Sequence, residues 1–215
     1  MREFLIKTFS EEKYAHALIE NGELLFRHVS YFREYEEKEV RGDIREGEQC
    51  EKKKITISPN VKHFNLGTNF VLDWESVKRD HPEFAQKENA TYDFSITYVV
   101  DCQIYCMTYV KSGLVDIDGI LDNVKSFGEY SAVICDCKDF LDKLRTRLPS
   151  AKYGLVSYSD AELRDMFIKP SKYKNQNEFR IMDSSNNAKS RLIAIGKLNG
   201  FVCKSKSLAM LKQFL

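Results

Sequence analysis

The first forty residues leave the chain few arrangements. Phe4 to Phe9 is a short apolar stretch of strand character, and Ser10-Glu11-Glu12-Lys13 comes close to a helix-capping pattern. Tyr14, Ala17 and Leu18, with Ala15 and Ile19 beside them, then form one apolar helix face that ends at Asn21-Gly22. Glu23 to Tyr31, ELLFRHVSY, reads as a second strand. Strand, helix, strand is a unit in which one helix covers a sheet, so the expected class is α+β.

The rest of the 215 residues extends that reading without an internal repeat or a linker, and one domain over 1–215 is the simplest expectation. Tyr35 to Lys54 is strongly charged and reads as a solvated loop or exposed helix. Ile55 to Pro59 reads as a strand, and Phe64 to Leu72 fits either class. The polar stretch around 73–90, with a proline at position 82, reads as an insertion or long loop. Thr91 to Val110 alternates β-branched and aromatic residues and predicts one or two central strands.

Lys111 to Gly119 reads as a turn region, and Gly128 to Asp136 as a strand. A helix over Lys138 to Leu148 follows, with Phe140, Leu141, Leu144 and Leu148 on its apolar side. Tyr153 to Tyr158 predicts a strand, and Asp160 to Phe167 a short helix stopped by Pro170. Asn177 to Met182 and Arg191 to Ile195 predict strands around the turn at 184–187. Lys204 to Leu215 closes as a small helix. The sheet is expected to be mixed and mostly antiparallel, with flanking helices.

Composition removes several classes of function. Lys plus Arg number 33 against 32 Asp plus Glu, a balance unlike that of a protein holding nucleic acid by bulk charge. No apolar run approaches the ~20 residues of a membrane span. MREFLIKTFS lacks the apolar core of a secretory signal, so a cytoplasmic protein with no membrane partner is expected. Of six cysteines, Cys102 and Cys106 are spaced C-x3-C and Cys135 and Cys137 C-x-C, all in strand-like text; buried thiols are the plain expectation. The four histidines form no ligand-spaced motif, and no metal is expected. Familiar phosphate-loop, dinucleotide and nucleophile-elbow signatures are missing as well.

Three polar segments remain as candidates for chemistry. Arg41-Gly42-Asp43-Ile44-Arg45-Glu46-Gly47-Glu48 alternates arginines with acids on a glycine-freed backbone, which suits a phosphate or a ribose; a solvated loop accounts for the same composition. In Phe167 to Ile181 a Pro- and Asn-bearing loop leads into a strand on which Gln176, Glu178 and Arg180 share one face. With Phe179 and Ile181 on the core, that polar row would line a surface groove, and the carboxylate would suit a ribose hydroxyl or a cationic transition state. An edge strand with a cross-strand ion pair explains it equally well. Arg27 to Arg33 sets Tyr31 and Phe32 beside Arg27 and Ser30, fit to stack on a flat ring and hold a phosphate, or simply to pack.

In this order the segments resemble a bacterial and phage domain family of unknown function. The matching text is Asn21-Gly22-Glu23-Leu24-Leu25-Phe26, then Val29-Ser30-Tyr31-Phe32, Arg41 to Glu46, and Phe167-Ile168-Lys169-Pro170 through Gln176-Asn177-Glu178-Phe179-Arg180. Ile104 to Thr108 and Gly128 to Ile134 resemble its central strands. The resemblance covers most of the chain outside roughly 55–95, with specificity carried by motif order.

That family in turn resembles the NAD-dependent ADP-ribosyltransferases. The likeness implies a split sheet with a nicotinamide-dinucleotide cleft and NAD as substrate. It implies that Lys7, with Ser30 and Tyr31 on the second strand, contacts the dinucleotide; Arg27, Arg41, Asp43 and Arg180, from the polar segments above, are expected to bind it with them. Glu178 would hydrogen-bond a ribose hydroxyl and stabilise the oxocarbenium ion, and Gln176 would orient the acceptor. The chain departs from the best-known transferases in carrying Lys7 for Arg or His, and in lacking their serine-rich second-strand motif. The expectation is a transferase acting on a macromolecule, nucleic acid or protein, in phage–bacterium conflict. The alternative is a non-catalytic module, including a phage inhibitor, that uses the cleft to hold a nucleotide or a partner.

Overall fold

The structure is a computed structural model that describes residues 2–35, 46–56, 63–67, 70–83, 91–161, 165–185 and 188–215. The chain divides into two compact units, one of residues 1–48 and 99–215 and one of residues 49–98. In chain order the larger unit begins with β1 (Glu3–Phe9), α1 (Glu12–Asn21), β2 (Glu23–His28) and α2 (Val29–Tyr35). β3 (Glu48–Thr56) leads into the smaller unit, which holds β4 (His63–Gly67), β5 (Phe70–Asp73), α3 (Trp74–Asp80) and β6 (Thr91–Val99). The larger unit resumes with β7 (Gln103–Lys111), α4 (Ile117–Ser126), β8 (Tyr130–Ile134), α5 (Cys137–Arg147), β9 (Lys152–Leu155), β10 (Ser157–Tyr158) and β11 (Ile168–Lys169). It ends with β12 (Glu178–Asp183), β13 (Ser190–Ala194), β14 (Gly200–Lys204) and a 3-10 helix over Ser205–Phe214.

The α+β expectation holds, with a mostly antiparallel sheet. Eight strands of the larger unit form one sheet, ordered β13-β2-β7-β1-β8-β14, with β12 and then β9 added beside β7. Every pairing in it is antiparallel. β10 and β11 form a small parallel pair. In the smaller unit β4 pairs β5 and β3 pairs β6.

Several local expectations are corrected. The second strand stops at His28, because Val29 through Tyr35 turn into α2. Residues 117–119, read as part of a turn region, open α4 instead; Asp116 accepts the Gly119 N–H at 3.0 Å and supplies the N-cap. Part of the charged 35–54 stretch is β3, and part of the polar 73–90 stretch is α3. Of the Thr91 to Val110 pair only β7 is central. Cys135 lies beyond β8 and is exposed, and Cys137 opens α5, so the C-x-C pair is not on a strand. Residues 57–59 of the predicted strand, 84–90 of the predicted loop, 162–164 of the predicted helix and the turn residues 186–187 lie outside the described residues.

β1 is covered on both faces, which is why Phe4, Leu5 and Ile6 are all buried in succession. Leu5 faces α1 and α5 in a cluster with Leu18, Phe140, Leu144, Tyr105, Met107, Phe179 and Ile181. Phe4 and Ile6 face α4 and the C-terminal 3-10 helix, with Val110, Leu121, Val124 and Leu208. A third cluster, Val29, Cys102, Ile104, Met166 and Met182, lies under the other end of β7. Along one face of β7, therefore, Ile104 and Val110 enter separate apolar clusters, while Cys106 and Thr108 lie between them.

The sheet has a seam at the same place. On one side β12 pairs residues 103–108 of β7, from Glu178↔Thr108 to Asp183↔Gln103. On the other, β1 pairs only residues 108–111 and β2 only residues 103–104. Among the described residues no strand pairs 105–107 on that side.

Candidate functional site

A pocket of about 220 Å³ opens at this seam. Ile6, Lys7 and Thr8 reach it where β1 parts from β7, and Cys106, Met107 and Thr108 form its floor. Lys7 Nζ donates to the Cys106 carbonyl at 2.7 Å and lies 4.7 Å from the Tyr105 ring centroid. An ammonium thus occupies the acceptor that the missing strand would have used. α2 contributes Tyr31 and Phe32, packed edge to face at 5.4 Å, and Phe127 follows α4 on the wall. Glu46, Lys169, Gln176 and Glu178 complete the lining.

Four charged side chains meet here, all withdrawn from water: Arg180 is 1% exposed, Glu46 4%, Lys169 5% and Glu178 5%. Arg180 Nη1 and Nη2 contact the Glu46 carboxylate at 2.6 and 3.2 Å, and Arg180 Nε contacts Glu178 Oε1 at 2.7 Å. Lys169 Nζ contacts Glu178 Oε2 at 2.8 Å and Glu46 Oε2 at 3.5 Å. The ring closes, with two cations against two carboxylates. Arg180 also donates to the Met166 carbonyl, and Lys169 to Gln176 Oε1 at 3.1 Å.

Backbone geometry fixes each member. Glu178 and Arg180 project from the same face of β12, opposite Thr108 and Cys106, while Phe179 and Ile181 enter the core as expected. Asn177, which precedes them, adopts left-handed geometry at φ 38°, which a short amide side chain tolerates; its Nδ2 donates to the Tyr109 carbonyl. The Glu178 N–H donates to Tyr158 Oη at 2.9 Å. Lys169 is held on β11 beside Tyr158 on β10. Arg33 Nε of α2 donates to the Glu46 carbonyl at 2.6 Å, and the Val100 N–H donates to the Gly47 carbonyl at 2.8 Å.

The electrostatics follow from this closure. Burial by itself drives the Glu178 carboxyl upward, but Arg180 and Lys169 outweigh it and hold the group well below the usual carboxylate range. Burial likewise pulls Lys169 down, and Glu178 and Glu46 more than reverse it. Burial, then the Glu178 charge, pushes the Cys106 thiol up to about 12, so it is no thiolate nucleophile at neutral pH. Among the described residues no group of three His, Cys, Asp or Glu is placed to hold a metal ion. No helix among them is long and apolar enough to cross a membrane.

Of the residues singled out from sequence, Lys7, Tyr31, Gln176 and Glu178 line this pocket. Arg180 stands behind Glu178 rather than in the lining. Arg27 is outside it, with its guanidinium 4.9 Å from the Tyr31 ring centroid. Ser30 is turned away into a different chain, its Oγ 2.9 Å from His28 Nδ1 while His28 Nε2 is 2.6 Å from Asp101. Arg41 and Asp43 lie outside the described residues.

Three expectations about geometry fail. Tyr31 and Ser30 are on a helix instead of the second strand. Gln176 ends a 3-10 helix, Ser171–Gln176, instead of sharing a strand face with Glu178. The polar row is buried, and β12 is flanked by β7 and β9, so neither a surface groove nor an edge strand describes it. Glu46 and Lys169 each lie among other charged residues in the sequence, and only their burial in the fold sets them apart.

No protein-family model, no curated protein and no solved structure matches the chain.

Proposed function

We propose that the pocket takes the nicotinamide–ribose end of NAD and that the protein is an ADP-ribosyltransferase-like enzyme acting on a macromolecular acceptor, nucleic acid or protein. The observation that carries this reading is the convergence of Lys7, Tyr31, Gln176 and Glu178, drawn from opposite ends of the chain, on one pocket. Its 220 Å³ falls below the ~300–1,000 Å³ of sites that swallow a drug-sized ligand, which suits one end of a dinucleotide.

Tyr31, Phe32 and Phe127 offer apolar faces for a flat ring. The ionised Glu178 accepts a hydrogen bond from a ribose hydroxyl and stabilises positive charge at the anomeric carbon. In the transfer, the C–N glycosidic bond breaks with its electron pair going to nicotinamide. The acceptor atom forms the new bond to that carbon and releases its proton.

The reading is tested with labelled NAD and lysate. Tyr31 is on the surface side of the pocket, so Tyr31→Ala is expected to leave the melting temperature unchanged and to raise KM for NAD at least tenfold. Glu178→Gln is expected to lower transfer at least a hundredfold. Undiminished transfer in Glu178→Gln, or no NAD consumption by the wild type with any lysate, would sink the assignment.

A second reading has one observation of its own. Both Glu178 oxygens already serve Arg180 and Lys169, as in a purely architectural ion pair. NAD or nucleotide binding by calorimetry, without nicotinamide release, would identify the non-catalytic module.

A further inference from the structure

Asparagine followed by glycine is chemically labile, because it can lose its side-chain amide without an enzyme. The glycine nitrogen gives its proton to solvent base and attacks the asparagine Cγ. Ammonia leaves, and water opens the resulting five-membered imide to aspartate or, through the other carbonyl, to isoaspartate. Glycine favours the attack because it has no Cβ to crowd the nitrogen or restrict the backbone. The chain has two such pairs, Asn21-Gly22 and Asn199-Gly200.

The fold treats them in opposite ways. Asn21 ends α1, and the Gly22 N–H donates to the Leu18 carbonyl at 3.0 Å. Asn21 Nδ2 donates to Glu23 Oε1 at 3.0 Å, so both reacting groups are tied. Asn199 is exposed, in a bend just before β14, and among the described residues its side-chain amide makes no hydrogen bond. The Asn199 carbonyl accepts the Cys135 N–H at 2.8 Å, and the Ser205 N–H donates to the Glu129 carbonyl at 2.7 Å. Alternate residues bond across an antiparallel ladder, so 199, 201, 203 and 205 face β8 and the Gly200 N–H faces away. β14 is the last strand on that side, and among the described residues no strand takes this N–H. Packing keeps the glycine in place. A Cβ at position 200 would run into the Val133 carbonyl oxygen and lie 2.8 Å from Ile19 Cδ1.

We infer that Asn199 is a site of self-modification, at which the folded protein converts an amide to aspartate and isoaspartate with water as the co-reactant and ammonia as the product. Each product carries a new negative charge. Isoaspartate also lengthens the main chain by one atom between Asn199 and Gly200. On one side of that bond Leu198 is docked, 3% exposed, with its N–H donating to the Ile19 carbonyl at 2.8 Å. On the other, Gly200 starts the register of β14 against β8. The extra atom cannot be fitted without shifting one of them, so the age of the molecule is coupled to the hold of β14. The modification does not depend on what the pocket binds.

Peptide mapping by mass spectrometry on the full chain, aged at pH 8, tests it. In the folded protein Asn199 is expected to deamidate at least tenfold faster than Asn21. In urea the two pairs should react within threefold of each other, which assigns the difference to the fold. The rate at Asn199 should fall at least threefold from pH 8 to pH 6, because the Gly200 nitrogen must lose its proton. Aged wild type, carrying isoaspartate, should melt lower than fresh protein. Asn199→Gln, which would have to close a larger ring, should remain unmodified and keep its melting temperature through the same incubation. If that variant does not fold, the peptide maps of the wild type decide the matter alone. Asn21 reacting as fast as Asn199 in the folded chain overturns the inference. So does an Asn199 that stays intact while the unfolded chain reacts, or an unchanged melting temperature in a sample fully converted to isoaspartate.

Discussion

Arg180 illustrates how much one side chain can be made to carry. It is 1% exposed, and its guanidinium meets two carboxylates and a backbone carbonyl. Burying charge is expensive, and the ring of four is tolerable only because every member has a partner. Arg180→Met removes a cation and leaves Glu46 and Glu178 facing Lys169 alone. The expected loss is about 3–5 kcal/mol, the range for breaking a buried pair from one side. Urea titration of the purified variant measures it; a loss under ~1 kcal/mol would mean that water or a counterion compensates the site. Text alone gave the alternation of Glu178 and Arg180 and their common strand face. It gave no means of seeing that this face is interior, because burial of a polar row depends on β9 and on Glu46, which is 134 positions away from Arg180. Lys169 was in plain view for the same reason unread.

At the scale of elements, the legible parts were those stated by local chemistry. α1 ends where Asn21-Gly22 says it should: Gly22 sits at φ 65°, and its N–H donates to the Leu18 carbonyl at 3.0 Å. A Cβ at that position would also lie 2.3 Å from the Gly196 carbonyl oxygen. Gly22→Ala therefore combines left-handed strain of roughly 1–2 kcal/mol with a backbone clash. A melting temperature lowered by several degrees is expected, and an unchanged one would show that the α1–β2 corner can rearrange. α5 was equally readable, from Phe140, Leu141, Leu144 and Leu148 at helical spacing, although its cap, Asp136, reads in the sequence as the end of the preceding strand. α2 was not. Val29-Ser30-Tyr31-Phe32 continues the β-prone text of β2, and the chain bends only because the Val29 N–H finds the Cys102 carbonyl and His28 accepts the Ser30 N–H. Those partners belong to residues 101 and beyond or to a side chain whose role depends on them. The bend is what turns Tyr31 toward the pocket.

For the molecule as a whole the buried ring shapes the response to pH. Glu178 is held below the ordinary carboxylate value near 4.5, so its contribution is complete above that value and is lost as pH falls toward its folded pKa. Lys169 is held above its ordinary value of 10.5, so its contribution is complete below that value and fades only as pH rises beyond it. Between about pH 5 and 10 neither group makes stability change. Chemical denaturation is expected to give a flat midpoint from about pH 5 to 8. Above that it falls, because the unfolded chain ionises the thiols of Cys102, Cys106 and Cys137 that burial keeps protonated in the fold. A second fall begins below pH 4.5, and Asp183, also depressed by its partners despite burial, reinforces it. A midpoint that drops steadily between pH 8 and pH 6 would contradict the ring as the dominant buried charge set.

The same ring has a consequence in time. Glu46 is made early on the ribosome, and Arg180 follows 134 residues later. At about 5–20 residues per second that is a wait of roughly 7–27 s. Throughout it, Glu46 has no guanidinium to neutralise it, so the polar gap between the two apolar clusters on that face stays wet. Lys169 emerges only shortly before Arg180, and β12 inserts between β7 and β9 as the last charges arrive. Synthesis itself thus sets an order, with the charge ring completed after β1, β2, β7, β8 and β9 have been made and before β13 and β14 join the same sheet.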